Sequence, residues 1–419
     1  MTGTPAPLRQ LLLPMPMRTS LTMIVRNEEA ALPECLGPVA DLFDEIIVVD
    51  TGSTDRTREV AHKLGARVYD FPWIDDFAAA RNESLRHATG DWIFWLDADD
   101  RLHPEDRRRL QALLAGLGDE NVAWMMNCVC PLAGPGDTRT LVVSHCRLFR
   151  RHPEIRWQYR VHEQVLPSIQ RLGGVMRYSD VVLHHVGYTD AATQRLKEER
   201  NLVLLERDAR DHPHDAYVWF NLGWSYHLVG RSDAAIAALE RGRRCLGPRT
   251  TYGPKLYALL VQKLFAAGRL EEGLRICLEG EAYAPGDPEL LFQEASLRCE
   301  LGDLGGAERC LLRLLQAPPG PVVGCLDPEL TGCKARQNLA VVYMRMGRMA
   351  EAEAQLRALV AQWPEYTLAW RELAELWLAQ GRWAELEGAL ARLAHDPKWS
   401  ADAAVLAQEA AARRAAASR

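Results

Sequence analysis

Five times in its second half the sequence interrupts a helical pattern with the same glycine-centred turn. The five are Tyr226-His-Leu-Val-Gly230-Arg, Leu264-Phe-Ala-Ala-Gly268-Arg, Arg298-Cys-Glu-Leu-Gly302-Asp, Tyr343-Met-Arg-Met-Gly347-Arg and Trp377-Leu-Ala-Gln-Gly381-Arg. Successive glycines stand 38, 34, 45 and 34 residues apart, a basic period of 34 with inserts of 4 and 11. The larger insert matches the Pro- and Gly-rich stretch Pro318–Gly332. Pro285, Pro319 and Pro364 each lie 17 residues past a repeat glycine, where a helix pair should end. A unit of this length cannot bury its apolar face alone and must stack on its neighbours. The second half is therefore expected to be an all-α solenoid.

The first half has a different rhythm. Leu21–Val25, Glu45–Asp50, Arg67–Tyr69 and Trp92–Asp97 read as short buried strands. Helical stretches separate them at about Glu28–Leu36, up to Leu64, and at Asp75–His87. Strand and helix alternating at this spacing predict right-handed crossovers and a mainly parallel, doubly covered sheet. Further on, Val122–Val129 and Arg139–Phe149 flank a Pro/Gly-rich turn at residues 131–138, and Asp180–Val186 is a last extended piece. Those segments predict a mixed α/β sheet. The reading gives a flexible leader at 1–18 with Met17 as a possible second start, an α/β domain at 19–195, helical repeats at 196–399 and a C-terminal helix or tail at 400–419.

Composition excludes several classes. The net charge of −6 supplies no global basic field for nucleic acid. No run approaches the ~20 apolar residues that span a bilayer, and Leu11–Leu13 is broken at once by Pro14 and Pro16. Ten cysteines are thinly spread with no Cys-x-x-Cys pair, which points to free thiols in a reducing cytoplasm and away from zinc. Cys128 and Cys130, the most closely spaced pair, are read as facing opposite sides of a strand.

Ligands of parallel sheets sit beyond the carboxyl ends of the strands, and Asp50 and Asp97 end two of them. Trp92-Ile-Phe-Trp-Leu-Asp97-Ala-Asp99-Asp100 runs an apolar strand into three carboxylates. Such a cluster repels itself unless a cation neutralises it. Oxygen donors suit Mg²⁺ or Mn²⁺, ions that commonly bridge to phosphates. The alternative is a strand end followed by an acidic helix cap.

Four ordered blocks sharpen this reading: Leu21-Thr-Met-Ile-Val-Arg-Asn27-Glu28-Glu29, Asp44-Glu-Ile-Ile-Val-Val-Asp50-Thr-Gly-Ser53-Thr-Asp55, Asp75-Asp76-Phe77-Ala-Ala-Ala-Arg81-Asn82 and Gly90-Asp-Trp-Ile-Phe-Trp-Leu-Asp97-Ala-Asp99. With Arg160-Val-His162-Glu163 and His184-His185-Val-Gly-Tyr188 downstream, the first half resembles family 2 glycosyltransferases of the GT-A fold. The branch it resembles carries C-terminal tetratricopeptide repeats and includes peptide and protein (bacteriocin-type) glycosyltransferases. The resemblance implies that Asp50 meets the nucleotide base, that Asp97 lies near ribose and metal, and that Asp99 binds the metal. Asp76 and Arg81 are then candidates for the nucleotide sugar, Arg81 through pyrophosphate or as a clamp on the carboxylates, with an internal salt bridge as the alternative. Asn27 and Glu29 would line the nucleotide mouth, or else form an acidic helix start.

Inversion at an anomeric carbon needs a base opposite the leaving group. Glu163 is the first candidate and His162 the second. One ring of His184-His185 could complete the metal shell, with His185 preferred, since neighbours on a strand face opposite ways. The expected activity is metal-dependent inverting transfer from a nucleotide-diphosphate sugar, a UDP-sugar foremost, to a peptide or protein side chain. The helical repeats would hold the acceptor or a partner, while Trp219, Trp224, Trp370, Trp377 and Trp383 are read as mainly core. The alternatives are a lipid-linked or polysaccharide acceptor, and a repeat scaffold with a decayed transferase domain.

Overall fold

The computed structural model describes residues 17–131, 140–186, 191–248, 250–316 and 329–417. The leader before Met17, the hairpin turn at 132–139, Tyr188 and Pro319 lie outside the described residues. The chain divides into two compact units, up to Pro213 and from His214.

The first unit contains β1 (Thr19–Val25), α1 (Leu32–Leu36), β2 (Glu45–Asp50), α2 (Thr57–Lys63), β3 (Arg67–Asp70), α3 (Phe77–His87), β4 (Trp92–Trp95), β5 (Asp100–Arg101) and α4 (Pro104–Ala115). β6 (Val122–Pro131), β7 (Thr140–Arg150), α5 (Leu166–Arg171), β8 (Val175–His185) and α6 (Ala191–Asp211) complete it. The eight strands form one sheet in the order β3-β2-β1-β4-β7-β6-β8-β5. The first four pair in parallel, β7 runs antiparallel to β4 and β6, and β8 pairs in parallel with β6. The predicted mixed α/β sheet is present. Apolar clusters pack on both faces: Leu21, Val48, Trp92 and Phe94 on one, Ile47, Ile93, Trp95 and Phe149 on the other. That division follows from the two-residue period of a strand buried on both sides.

Some boundaries differ from the sequence reading. β4 stops at Trp95, so Asp97 and Asp99 lie in the turn to β5 rather than on a strand. β8 begins at Val175, ahead of the expected Asp180, because it continues the β6 ladder from Val122↔Val175. α6 belongs to the first unit, although the boundary was expected at 195/196. Its Leu204, Leu205 and Ala209 are buried, Asp208 accepts from Arg160 Nη1 at 2.7 Å, and Arg207 meets Asp75 at 3.0 Å. The cysteine expectation was also wrong. Residues two apart on a strand share a face, and Cys128 and Cys130 lie close enough for their thiols to interact, raising the Cys128 pKa. The nine described cysteines form no disulfide.

The second unit is five helix pairs and a last helix: α7 (Ala216–Leu228) with α8 (Ser232–Cys245), α9 (Gly253–Ala266) with α10 (Leu270–Tyr283), α11 (Pro288–Glu300) with α12 (Leu304–Gln316), α13 (Cys333–Arg345) with α14 (Met349–Gln362), α15 (Thr367–Gln380) with α16 (Trp383–Leu393), then α17 (Ser400–Ala417). All five repeat glycines sit between the members of a pair with φ from 69 to 84°, a left-handed conformation that only glycine adopts freely. Gly223 has a different reason: a Cβ there would lie 2.6 Å from Leu239 on the facing helix. α10 and α14 end two residues before Pro285 and Pro364. Trp377 is buried in the core at 4% exposure, whereas Trp224 is 39% exposed. No helix among the described residues is long and apolar enough to cross a membrane.

Candidate active site

The carboxyl ends of β1, β2 and β4 open into a cavity of about 480 Å³. Asp97 and Asp99 form one wall, Val161, His162 and Glu163 another, and Arg81 lies between them. The turn from β4 explains how the acids converge. Asp97 N–H donates to Asp100 Oδ2 at 2.9 Å, and Asp100 N–H donates to the Asp97 carbonyl at 3.0 Å. β5 then pairs antiparallel with β8, placing Asp100 opposite His185. His185 Nδ1 thereby stands 3.4 Å from Asp99 and 3.3 Å from Asp100. His184 points elsewhere and stacks on His103 with ring centres 3.9 Å apart.

The three acids are not equivalent. Asp100 is 1% exposed, and burial disfavours its charge, yet Arg147 Nη1 at 2.7 Å holds its pKa far below the carboxylate range. It is a fixed bracket for the turn. Cys128 Sγ lies 4.0 Å from Asp100 and 3.9 Å from the Arg147 guanidinium. Asp97 is bound by Arg81 Nη2 at 2.7 Å. Asp99 has His185 as its one ion-pair partner among the described residues. Burial, with Asp97 and Asp100 nearby, raises its pKa. Against burial, Asp100, Asp99 and Asp97 push the His185 imidazole up to about 9. Asp97, Asp99 and Asp100 bring oxygens within 4.8 Å of one another. A carboxylate cluster of this kind offers the oxygen donors that a hard divalent ion takes, and Asp97 and Asp99 are its members that line the cavity.

Arg81 joins the two walls. It is 5% exposed, donates through Nε to Glu163 at 2.5 Å, and lies 4.1 Å from the centre of the Trp95 ring and 5.0 Å from that of Trp157. Of the roles the sequence left open, the internal ion pair and the carboxylate clamp are what the geometry contains. Next to Arg81, Asn82 grips the 157 peptide through both backbone atoms at 2.9 Å, fixing the loop that carries Glu163. His162 is exposed and has φ of 54°. Among the described residues, Asn27, Asp75 and Tyr159 are the other non-glycine residues in positive φ, and all four belong to the loops around the cavity. Such strain persists only where surrounding structure over-determines it, and it concentrates at functional sites.

Asp76, Asn27 and Glu29, expected at the nucleotide, do not line the cavity and make hydrogen bonds within the protein. Asp76 caps α3, accepting from Ala79 N–H at 2.8 Å. Asn27 ties two loops together, its Oδ1 accepting from Thr54 N–H at 2.8 Å and its own N–H donating to Ser53 Oγ at 2.9 Å. Glu29 accepts from Arg56 N–H at 3.0 Å. Its neighbour Glu28 is the acid that lines the cavity, with a pKa raised by burial and by Asp99. Asp50 is divided. Its Oδ1 accepts from Gly52 N–H, Ser53 N–H and Arg58, while Oδ2 is buried without a partner. Asp50 does not itself line the cavity, but the adjacent Thr51 does. The sequence reading missed Arg147, Glu28 and the α6 residues Lys197, Arg200 and Asn201, the last three of which also line the cavity. An arginine inside the β-branched β7 pattern was the available signal for Arg147.

Residues 20–129 match the Glycosyl transferase family 2 family, and 216–242 and 334–376 match tetratricopeptide repeats. A TPR repeat-containing protein of Synechococcus elongatus is 39% identical over 232 residues, covering 54% of this chain and 56% of the relative. The SPbeta prophage-derived glycosyltransferase SunS of Bacillus subtilis is 28% identical over 231 residues, covering 52% and 51%. The chain thus spans about half the length of these curated relatives. Among solved structures, the tetratricopeptide-repeat protein YrrB covers 42% of this chain and 84% of its own at 17% identity, with a TM-score of 0.35. Residues 20–129 therefore carry a segment matching glycosyl transferase family 2, and the second unit carries two segments matching tetratricopeptide repeats.

Proposed function

We propose that the protein transfers a sugar, with inversion, from a nucleotide-diphosphate sugar to a peptide or protein side chain. The observation that carries this reading is the joining of two acid sets by Arg81: Asp97 and Asp99 on one wall, Glu163 on the other. A divalent ion, Mn²⁺ or Mg²⁺, would supply neutralisation of the charge that builds on the departing diphosphate. Asp99 and Asp97 would hold it. Asp50 Oδ2 is an acceptor awaiting an N–H, which suits the base of a UDP-sugar placed at the β2 tip. With Glu163 Oε1 held by Arg81, Oε2 is the atom left to take the proton of an acceptor hydroxyl or thiol. His162, at the cavity mouth, would orient that acceptor.

The repeats would supply the acceptor's binding surface. Their own cavity of about 320 Å³, lined by Phe265, Phe292, Gln262 and Gln293, has the mixture of apolar and carboxamide groups that suits an extended peptide. Holding the acceptor on the same chain would raise its concentration at the site. This supports a macromolecular acceptor over free sugar. The test is Glu163→Gln assayed for both donor binding and transfer to peptide, read by mass spectrometry. Donor affinity should persist while transfer falls at least a hundredfold. Retained transfer would remove Glu163 from the role of base.

A further inference from the structure

We infer that the N-terminal half of α6 forms an anion-binding wall of the cavity, in which Lys197 and Arg200 grip the diphosphate of the donor. The inference rests on the glycosyl-transfer reading and adds residues from outside the segment matched to the family, which ends at 129.

Arg200 and Asn201 stand three and four residues after Lys197 on α6, on the same face as that lysine. All three line the cavity. The remaining walls hold the acids Glu28, Asp97, Asp99 and Glu163 beside Arg26, Arg81 and His185. Arg81 and His185 are already engaged by those carboxylates. A diphosphate entering there meets acids together with cations that are paired to them, and Lys197 and Arg200 add positive charge on the α6 wall.

Arg200 is the more telling residue. Its guanidinium lies 5.0 Å from the centre of the Phe77 ring and donates to Asn201 Oδ1 at 2.9 Å. Among the described residues it forms no ion pair, whereas Arg81, which lines the same cavity, forms two. Burial holds its pKa below the ordinary value. A partly desolvated guanidinium, oriented by an aromatic ring, with the Glu163 and Glu198 charges nearby but no ion pair among the described residues, is arranged to receive a phosphate by paired N–H donation. The helix itself is anchored to the strained Asp75 through Arg207 and to the Glu163 loop through Asp208 and Arg160. The wall is thus fixed to the base-bearing loop.

The experiment is calorimetric titration of the full chain with UDP, UMP and uridine in Mn²⁺, repeated with GDP and GMP. The proteins are wild type, Lys197→Met, Arg200→Met and Arg200→Lys, with Arg195→Met on the solvent side of the helix as control. Each methionine variant should weaken the diphosphate about tenfold and the nucleoside by less than twofold. Arg200→Lys should recover part of the loss, and Arg195→Met should match wild type. Equal diphosphate affinity in the methionine variants, or equal loss for nucleoside and diphosphate, overturns the wall while leaving the transferase reading in place. Failure of wild type to bind any of these nucleotides overturns both. A melting temperature within a few degrees of wild type identifies folded variants, and Arg200→Lys decides the matter should Arg200→Met fail that check.

Discussion

Arg81 stands between two acids contributed by distant segments, Asp97 after β4 and Glu163 in the loop before α5. Removing a buried cation leaves its partners uncompensated, which costs more than the pair contributes. Arg81→Met should lower stability by about 3 kcal/mol, and adding Glu163→Gln should restore part of it; urea unfolding of the two single variants and the double variant measures the coupling. Additive losses would mean that the bridge does not exist in solution. His145 on β7 supplies a pH test. Burial, followed by the positive charge of Arg147, lowers its pKa to about 4. The folded state then refuses a proton that the unfolded chain accepts near 6.5. Stability is complete above pH 6.5 and declines as pH falls towards 4, by roughly 2 kcal/mol for this half-buried ring. Histidine resonances followed by NMR should show one ring titrating near 4, and His145→Gln should flatten the acid side of the stability curve. At this scale the acidic run was legible because carboxylates following an apolar strand are conspicuous. Whether a loop acid lines the cavity or closes the loop was not: Glu28 and Glu29 differ by one position and point to different tasks.

The elements of the second unit are set by turns whose glycines have no steric alternative. Gly230 and Gly347 meet no atom within 4 Å of an added Cβ, so Gly→Ala there carries only the backbone penalty of positive φ, about 1 kcal/mol each. Gly388 within α16 also has open space around it, but in helical conformation. Gly388→Ala should therefore stabilise by about 0.5–1 kcal/mol. Thermal unfolding of the three variants should give opposite signs, and a loss at Gly388 would show that its surroundings are misjudged. The helix pairs were readable because their glycines and prolines recur in register. In the first unit the strands were readable, yet the sheet order was less so, since β8 returning beside β6 and pairing with β5 is a long-range choice with no local signal. That pairing is what brings His185 to Asp99. The boundary expected at 195/196 fell inside α6 for a related reason: tertiary partners such as Arg160 and Asp75 place the rest of this helix with the sheet.

The molecule as a whole joins two period classes in one chain, a sheet with alternating buried faces and a stack of helix pairs. Each was distinguishable in the sequence by its own repeat length. The site is less evenly legible, because a cavity collects residues from β1 to α6 and the sequence marks them only where chemistry is unusual, as at 97–100. The central claim is that Asp97 and Asp99 gather a divalent ion which holds a sugar-bearing diphosphate. Its most direct measurement is release of nucleoside diphosphate from a panel of nucleotide sugars by the intact chain, with and without Mn²⁺, beside Asp99→Ala. The account predicts metal-dependent turnover of at least one donor and a loss of a hundredfold or more in the variant. Turnover that is indifferent to Mn²⁺ and to Asp99→Ala, or none with any donor, would contradict it.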